Sequence, residues 1–291
     1  MAFKELTPEL GLKRLRRVLI IGGPNTRKTS SIIQTFPKPI HIVSSPGEKG
    51  TGVIPTNDPD IKGYIWEEDD PAKVSISQQI NELEKTTWEI LAGAKGPITT
   101  FAFDGFHKLA SMYWNREYNR LQQAFAADIA AGKTDRSGQP IAEAIRLQAY
   151  GNENYGANKD ITSFLSKVLQ SNVHTIVFTC WEGVETEDDM SAYAHTRHIF
   201  AVLPVQLARN LVTLFSLVLY AELFLTDPRG VSNATWQLQK QGRVWGVGVK
   251  VPVEVAMKLP TSVPQDWNKL YEKLAPLAKE TQQGPVDATT K

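Results

Sequence analysis

Lys28 and Thr29 follow Gly22 at the spacing of the phosphate-binding pattern G-x-x-x-x-G-K-[ST]. In such a loop, backbone N–H groups and a helix N-terminus converge on an anion. The lysine neutralises β- and γ-phosphates, and the threonine hydroxyl ligates Mg2+. The stretch Gly22, Gly23, Pro24, Asn25, Thr26, Arg27, Lys28, Thr29 and Ser30 is therefore the expected binding loop for ATP with Mg2+. One position departs from the pattern: Arg27 stands where a second glycine is usual. A side chain there is strained if φ must be positive, yet a guanidinium can also reach a phosphate. Asn25 tolerates unusual φ and can absorb part of the turn. Lys28 is expected to be exposed where strand meets helix.

A hydrolytic site also needs a carboxylate for the metal and a base for water. Asp104 ends the apolar run "ITTFAFD" and is expected to hold Mg2+ together with Thr29. The plainer alternative is an N-cap for the next helix. Gly105 follows it, so the tandem acid of many phosphate-loop ATPases is absent. Glu48, in the loop after the second strand, is the expected catalytic base, with Lys28 and Arg27 acting on the phosphates; Glu182 is the second choice.

These residues need elements to position them. "RVLIIGG" reads as a buried strand and "TSSIIQTF" as the helix after the loop, stopped by Pro37 and Pro39. "IHIVSS" is a second strand, and Pro46–Asp60 reads as a loop. Ile76, Ile80, Leu83, Thr87 and Leu91 fall on one face of a helix. "ITTFAFD" is a third strand and "HTIVFTC" a fourth, with helices over "FHKLASMYWNREYNRLQQAF" and "DITSFLSKVLQS" between them. Strands alternating with helices predict an α/β fold with a mainly parallel sheet flanked by helices on both faces. "LVLYAELFL", "TWQLQKQ" and "RVWGVGVKV" predict antiparallel strands added near the C-terminus, before a last helix in "PQDWNKLYEKLAPLAK". Residues 1–275 read as a single domain with a basic extension over 1–16, and 276–291 as a disordered tail.

Composition narrows the classes. The 291 residues are 42% hydrophobic and 22% charged with a net charge of +1, so the protein as a whole is not strongly basic. The basic cluster Gly11–Arg17 can still meet phosphates locally. A single cysteine, Cys180, excludes an intramolecular disulfide. The apolar stretch Leu211–Leu225 is shorter than the roughly 20 residues of a bilayer span, and Glu222 interrupts it, so no membrane partner is expected. His195, His198 and Cys180 fit no standard zinc spacing. Trp66, Trp114, Trp181, Trp236 and Trp245 could stack on bases or fill the core.

The chain resembles the phage-encoded RecA-like P-loop NTPases, related to recombinases and single-strand-annealing ATPases. The resemblance lies in "IIGGPNTRKTS", "SSPGEKG", "FAFDGFHKLA", "YGNENYGANKDITSFLSKVLQSNVHTIVFTCWEG" and "LPVQLARNLVTLFSLVLY". It implies an ATPase acting on single-stranded DNA in recombination or annealing, as a homo-oligomer in the host cytoplasm. It also implies that Glu48 is the base and that Thr179 is a sensor at the end of strand four. Arg197 and Arg209 are candidates for a finger reaching a neighbouring subunit. Two alternatives stand beside this: a nucleotide-binding interaction protein with little or no hydrolysis, and a small-molecule phosphotransferase, for which the Ala130–Arg146 segment carries too few clustered arginines.

Overall fold

The computed structural model describes residues 15–45, 54–55, 57–66, 74–150, 155–186, 197–201, 212–225, 232–238, 248–250 and 257–280. In chain order the elements are β1 (Arg17–Ile21), α1 (Lys28–Thr35), β2 (Ile40–Ser44), β3 (Ile61–Ile65) and α2 (Ile76–Leu91). Then come β4 (Thr100–Asp104), α3 (Phe106–Ala124), α4 (Ala126–Ala130), α5 (Ile141–Tyr150), α6 (Tyr155–Gln170) and β5 (Thr175–Cys180). The chain continues through β6 (Glu182–Thr186), β7 (Arg197–Ala201), β8 (Leu217–Leu225), β9 (Ser232–Gln237), β10 (Gly248–Val249), β11 (Ser262–Pro264) and α7 (Trp267–Glu280).

Nine strands share one mixed sheet, in the order β11-β9-β8-β1-β5-β4-β2-β3, with β10 also on β8. The six strands from β8 to β3 are mutually parallel, while β9, β10 and β11 are antiparallel additions on the C-terminal side. This is the α/β arrangement that the alternation of elements predicts. Strands β3, β6, β7 and β11 and helices α4 and α5 escaped sequence reading. Strand β3 is an edge strand with one fully buried residue in five, so its hydrophobic signal is too thin to see. Strands β6 and β7 form a separate antiparallel pair directly after β5. Within the expected strand Arg243–Val251 the described residues are 248–250, and Gly248–Val249 is strand. Helix α7 runs to Glu280, past the expected start of the tail. The 1–14 part of the expected N-terminal extension and residues 281–291 lie outside the described residues.

Parallel strands must be covered on both faces, and the period of two in each strand divides the core accordingly. Leu19, Ile21, Phe101, Phe103, Ile176, Phe178, Val218 and Tyr220 join Leu83, Leu109, Ile161 and Leu165 on the face of α2, α3 and α6. Val18, Ile20, Ile42, Ala102, Val177, Leu217 and Leu219 join Ile32, Phe36, Trp267 and Leu270 on the face of α1 and α7. Helix α2 starts in a capping box, Ser75 accepting from the Gln78 N–H and Gln78 from that of Ser75, which satisfies two donors at its open end.

The same alternation aims the polar residues. Asp104 falls in step with Ala102, and Thr179 with Val177, on the side covered by α1. Beneath them Phe178 stacks on Phe103 at 5.7 Å and meets the edges of Phe106 at 5.3 Å and Phe215 at 5.6 Å. Truncating fully buried Phe178 to alanine is expected to cost about 3–5 kcal/mol. Denaturant unfolding of Phe178→Ala measures it; a change below about 1 kcal/mol would mean the cluster does not brace the sheet.

Candidate phosphate and cation site

The loop between β1 and α1 crosses the carboxyl end of the parallel strands, where an open α/β sheet leaves its crevice. Strand β1 hands over to it through the Gly22 N–H, which donates to the Cys180 carbonyl at 3.2 Å. Gly22 is required by packing: a Cβ there would lie 2.7 Å from the Ala221 carbonyl of β8. The left-handed conformations fall instead on Asn25 (φ 63°) and Arg27 (φ 61°). Arg27 therefore does occupy the strained region in which glycine is usual, at a cost of roughly 1–2 kcal/mol. It is the N-cap of α1 and makes no side-chain cap hydrogen bond. The positive end of the helix dipole therefore faces the loop without a side-chain cap from Arg27.

Lys28 differs from expectation. It is buried, because its ammonium donates to the carbonyls of Gly22 at 2.8 Å and Gly23 at 2.6 Å inside the curl of its own loop. Thr26 closes the curl by donating to the Gly23 carbonyl at 2.9 Å.

Asp104 is 2% exposed at the end of β4. Its carboxylate accepts from the Thr29 hydroxyl at 2.6 Å and from the Thr179 hydroxyl. Thr179 in turn accepts from the Gly105 N–H at 3.0 Å. Gly105 is the left-handed N-cap of α3 (φ 84°), so Asp104 is not itself that helix's cap residue. Ser45 ties the end of β2 to the same corner, its N–H donating to the Asp104 carbonyl and its hydroxyl to that of Gly105, both at 2.9 Å. A buried carboxylate next to a hydroxyl is a hard oxygen pair. Mg2+ suits such a pair, since it commonly takes one or two carboxylates and completes its shell with water and phosphate oxygens. Among the described residues no three His, Cys, Asp or Glu side chains gather into a metal set.

Glu182 comes to the loop from the other side. A Cβ on Gly23 would lie 3.0 Å from its Oε1, and Tyr220 donates to its Oε2 at 2.5 Å. Burial and then this bond raise the Tyr220 phenol above its ordinary value. His107 stacks on Trp181 with ring centroids 4.8 Å apart. Burial, then the charges of Lys108 and Lys28, lower its pKa to about 4. Neither Tyr220 nor His107 has a motif that would single it out; only the fold brings them near the loop. Glu48 and Arg209 lie outside the described residues. Arg197 opens β7, opposite Thr186, in the pair separate from the main sheet. His195 also lies outside the described residues, and Cys180 is buried in the core.

The fold and site together define an α/β protein in which a strand–loop–helix turn faces a buried aspartate at the carboxyl end of a mainly parallel sheet. No protein-family model matches the chain, and no curated protein is similar to it. No helix among the described residues is long and apolar enough to cross a membrane.

Two expected outcomes follow from this geometry. Arg27→Gly should raise stability by about 1 kcal/mol through relief of the left-handed strain. If the loop binds ATP, as the sequence leads one to expect, the substitution should at the same time weaken that binding by about 1.5–3 kcal/mol, the size of a charge-assisted hydrogen bond. Thermal unfolding and calorimetric titration read the two effects separately, and unchanged affinity would remove Arg27 from the phosphate ligands. The second outcome concerns pH. His107 and His174 are both lowered to about 4, His174 by burial, then Arg16 and Arg17. Between roughly pH 6.5 and pH 4 the unfolded chain binds protons that the folded one refuses. Stability from these groups is therefore full above about pH 6.5 and falls towards pH 4. His107→Phe should flatten that slope in denaturation at pH 7 and pH 5; a slope equal to the parent's would show that His107 carries none of it.

Proposed function

We propose that the chain is a RecA-like P-loop NTPase that binds ATP with Mg2+ in the loop Gly22–Ser30 and hydrolyses it. The observation that carries this reading is the 2.6 Å contact between Thr29 and Asp104. It joins the last residue of the loop pattern to an acid contributed 75 positions later, at the end of another parallel strand. A chance match of the loop pattern gives no reason for that meeting. The strand order adds support: β5 lies between β1 and β4 and presents Thr179 to the same carboxylate. That is the place the RecA-like resemblance assigns to a sensor.

In this reading the N-terminal end of α1 receives the phosphates, and Lys28 exchanges its loop carbonyls for phosphate oxygens. Arg27, exposed at the rim, adds positive charge. Thr29 and Asp104 hold Mg2+, which supplies charge neutralisation at the β- and γ-phosphates. Glu48 remains the proposed base from the resemblance. Glu182, held by Tyr220 beside Gly23, is the acid whose position favours it for orienting water. Action on single-stranded DNA, in recombination or annealing, and assembly with further copies are proposed from the resemblance.

The second reading is nucleotide binding with little turnover. The left-handed Arg27 favours it, because a Cβ at that position restricts the backbone's approach to phosphate. Magnesium-dependent ATP turnover, measured with and without single-stranded DNA, tests both. Turnover raised by DNA supports the first reading, and tight binding without turnover selects the second. Lys28→Met keeps the apolar stem and removes the charge; it should lower ATP affinity at least about tenfold while circular dichroism stays that of the parent. Parent-like ATP binding by this variant would overturn the site.

A further inference from the structure

We infer that Gln265, more than two hundred residues from the loop in sequence, is a positioning residue that holds the phosphate loop in its strained shape. It sits where β11 gives way to α7 and is buried. Its Nε2 donates to the Thr26 carbonyl at 3.0 Å and the Thr235 carbonyl at 3.1 Å, and lies 3.4 Å from that of Glu222. The orientation of the amide is chemically determined: reversed, it would set its oxygen against carbonyl oxygens with no donor between them. Its backbone N–H donates to the Ala234 carbonyl at 3.0 Å, which anchors it to β9.

Thr26 is the one residue between the two left-handed positions, Asn25 and Arg27. Strained conformations persist only where the surroundings over-determine them. The other bonds described above for this crest, from Thr26 and Lys28, run to carbonyls of the loop itself; Gln265 ties it to a different part of the fold. A trans peptide is planar, so its C=O and the following N–H point in opposite directions. Fixing the Thr26 carbonyl on Gln265 therefore fixes the Arg27 N–H away from Gln265. The neighbouring residues of the same segment hold the far end of α1. The Trp267 N–H donates to the Thr35 hydroxyl at 3.0 Å, and Trp267 stacks on Phe36 at 4.6 Å. Residues 265–267 thus clamp α1 at both ends, and only Gln265 acts on the loop.

The benefit to phosphate binding rests on the ATP reading, whereas the hold on the loop does not, so the test reads both. Gln265→Met keeps the volume and removes the donor. The Ser31 amide, bonded to the Arg27 carbonyl at 2.8 Å, reports the order of the first turn without any ligand. Its hydrogen exchange should quicken about three- to tenfold, the range of one net hydrogen bond, while amides of α2 and α3 keep their rates. ATP affinity should fall by a similar factor. Trp267→Phe serves as the control, loosening α7 without touching the Gln265 amide, and should leave Ser31 exchange and ATP affinity near the parent's. Parent-like Ser31 exchange in folded Gln265→Met overturns the proposal, and so does an equal change in the control. If the parent binds no ATP, the ATP reading fails and Ser31 exchange alone decides the role of Gln265. Should Gln265→Met not fold, Gln265→Asn, whose amide is one methylene short of Thr26, is expected to give the same changes, and their absence overturns the proposal.

Discussion

A carboxylate buried at the end of a central strand is the constraint around which the site is organised. Taking Asp104 out of water is costly unless its oxygens find donors. The fold answers with two hydroxyls, Thr29 from the start of α1 and Thr179 from the end of β5. Each comes from a different element, so meeting the needs of one acid also sets the distance between helix and strands. Gly105 and Ser45 extend the same hydrogen-bonded corner to α3 and β2. Polar groups satisfied in this way specify one arrangement more sharply than apolar packing does.

The loop carries the opposite kind of energy. Two non-glycine residues in the left-handed region and a lysine turned onto its own carbonyls put strain and positive charge at one place. Such a loop needs bracing from outside. The sheet supplies it below, through Gly22 and the close carbonyl of Ala221. The segment after β11 supplies it above, through Gln265. The antiparallel strands on the C-terminal side therefore do more than widen the sheet. They form the platform on which the brace and α7 are mounted.

Much of this was legible in the chain alone. The run Val18–Ser31 contains a strand, a turn and a helix start, and the physics of the phosphate pattern requires only local order. Asp104 was visible because an apolar run ends on an acid, and the parallel class followed from strands alternating with helices. Even the strain at Arg27 could be foreseen, since a residue in the place of a glycine inherits its backbone angles. These features are encoded within a few residues of one another, where periodicity and turn chemistry speak directly.

What the tertiary structure decided lies mostly at long sequence separation, or in the way one loop folds back on itself. Lys28 is buried because carbonyls of its folded-back loop surround it, which no pattern of exposed and buried residues announces. Strand β3 is an edge strand, so it lacks the doubly buried signature of its neighbours. Glu182, Tyr220, His107 and Gln265 are ordinary residues in sequence and gain meaning only from the elements that carry them to the loop. The sequence determined which residues could do phosphate chemistry, because that chemistry has a short local grammar. Only the folded sheet determined which of them meet, because the strand order and the period of two bring residues 29, 104 and 179 to a single point.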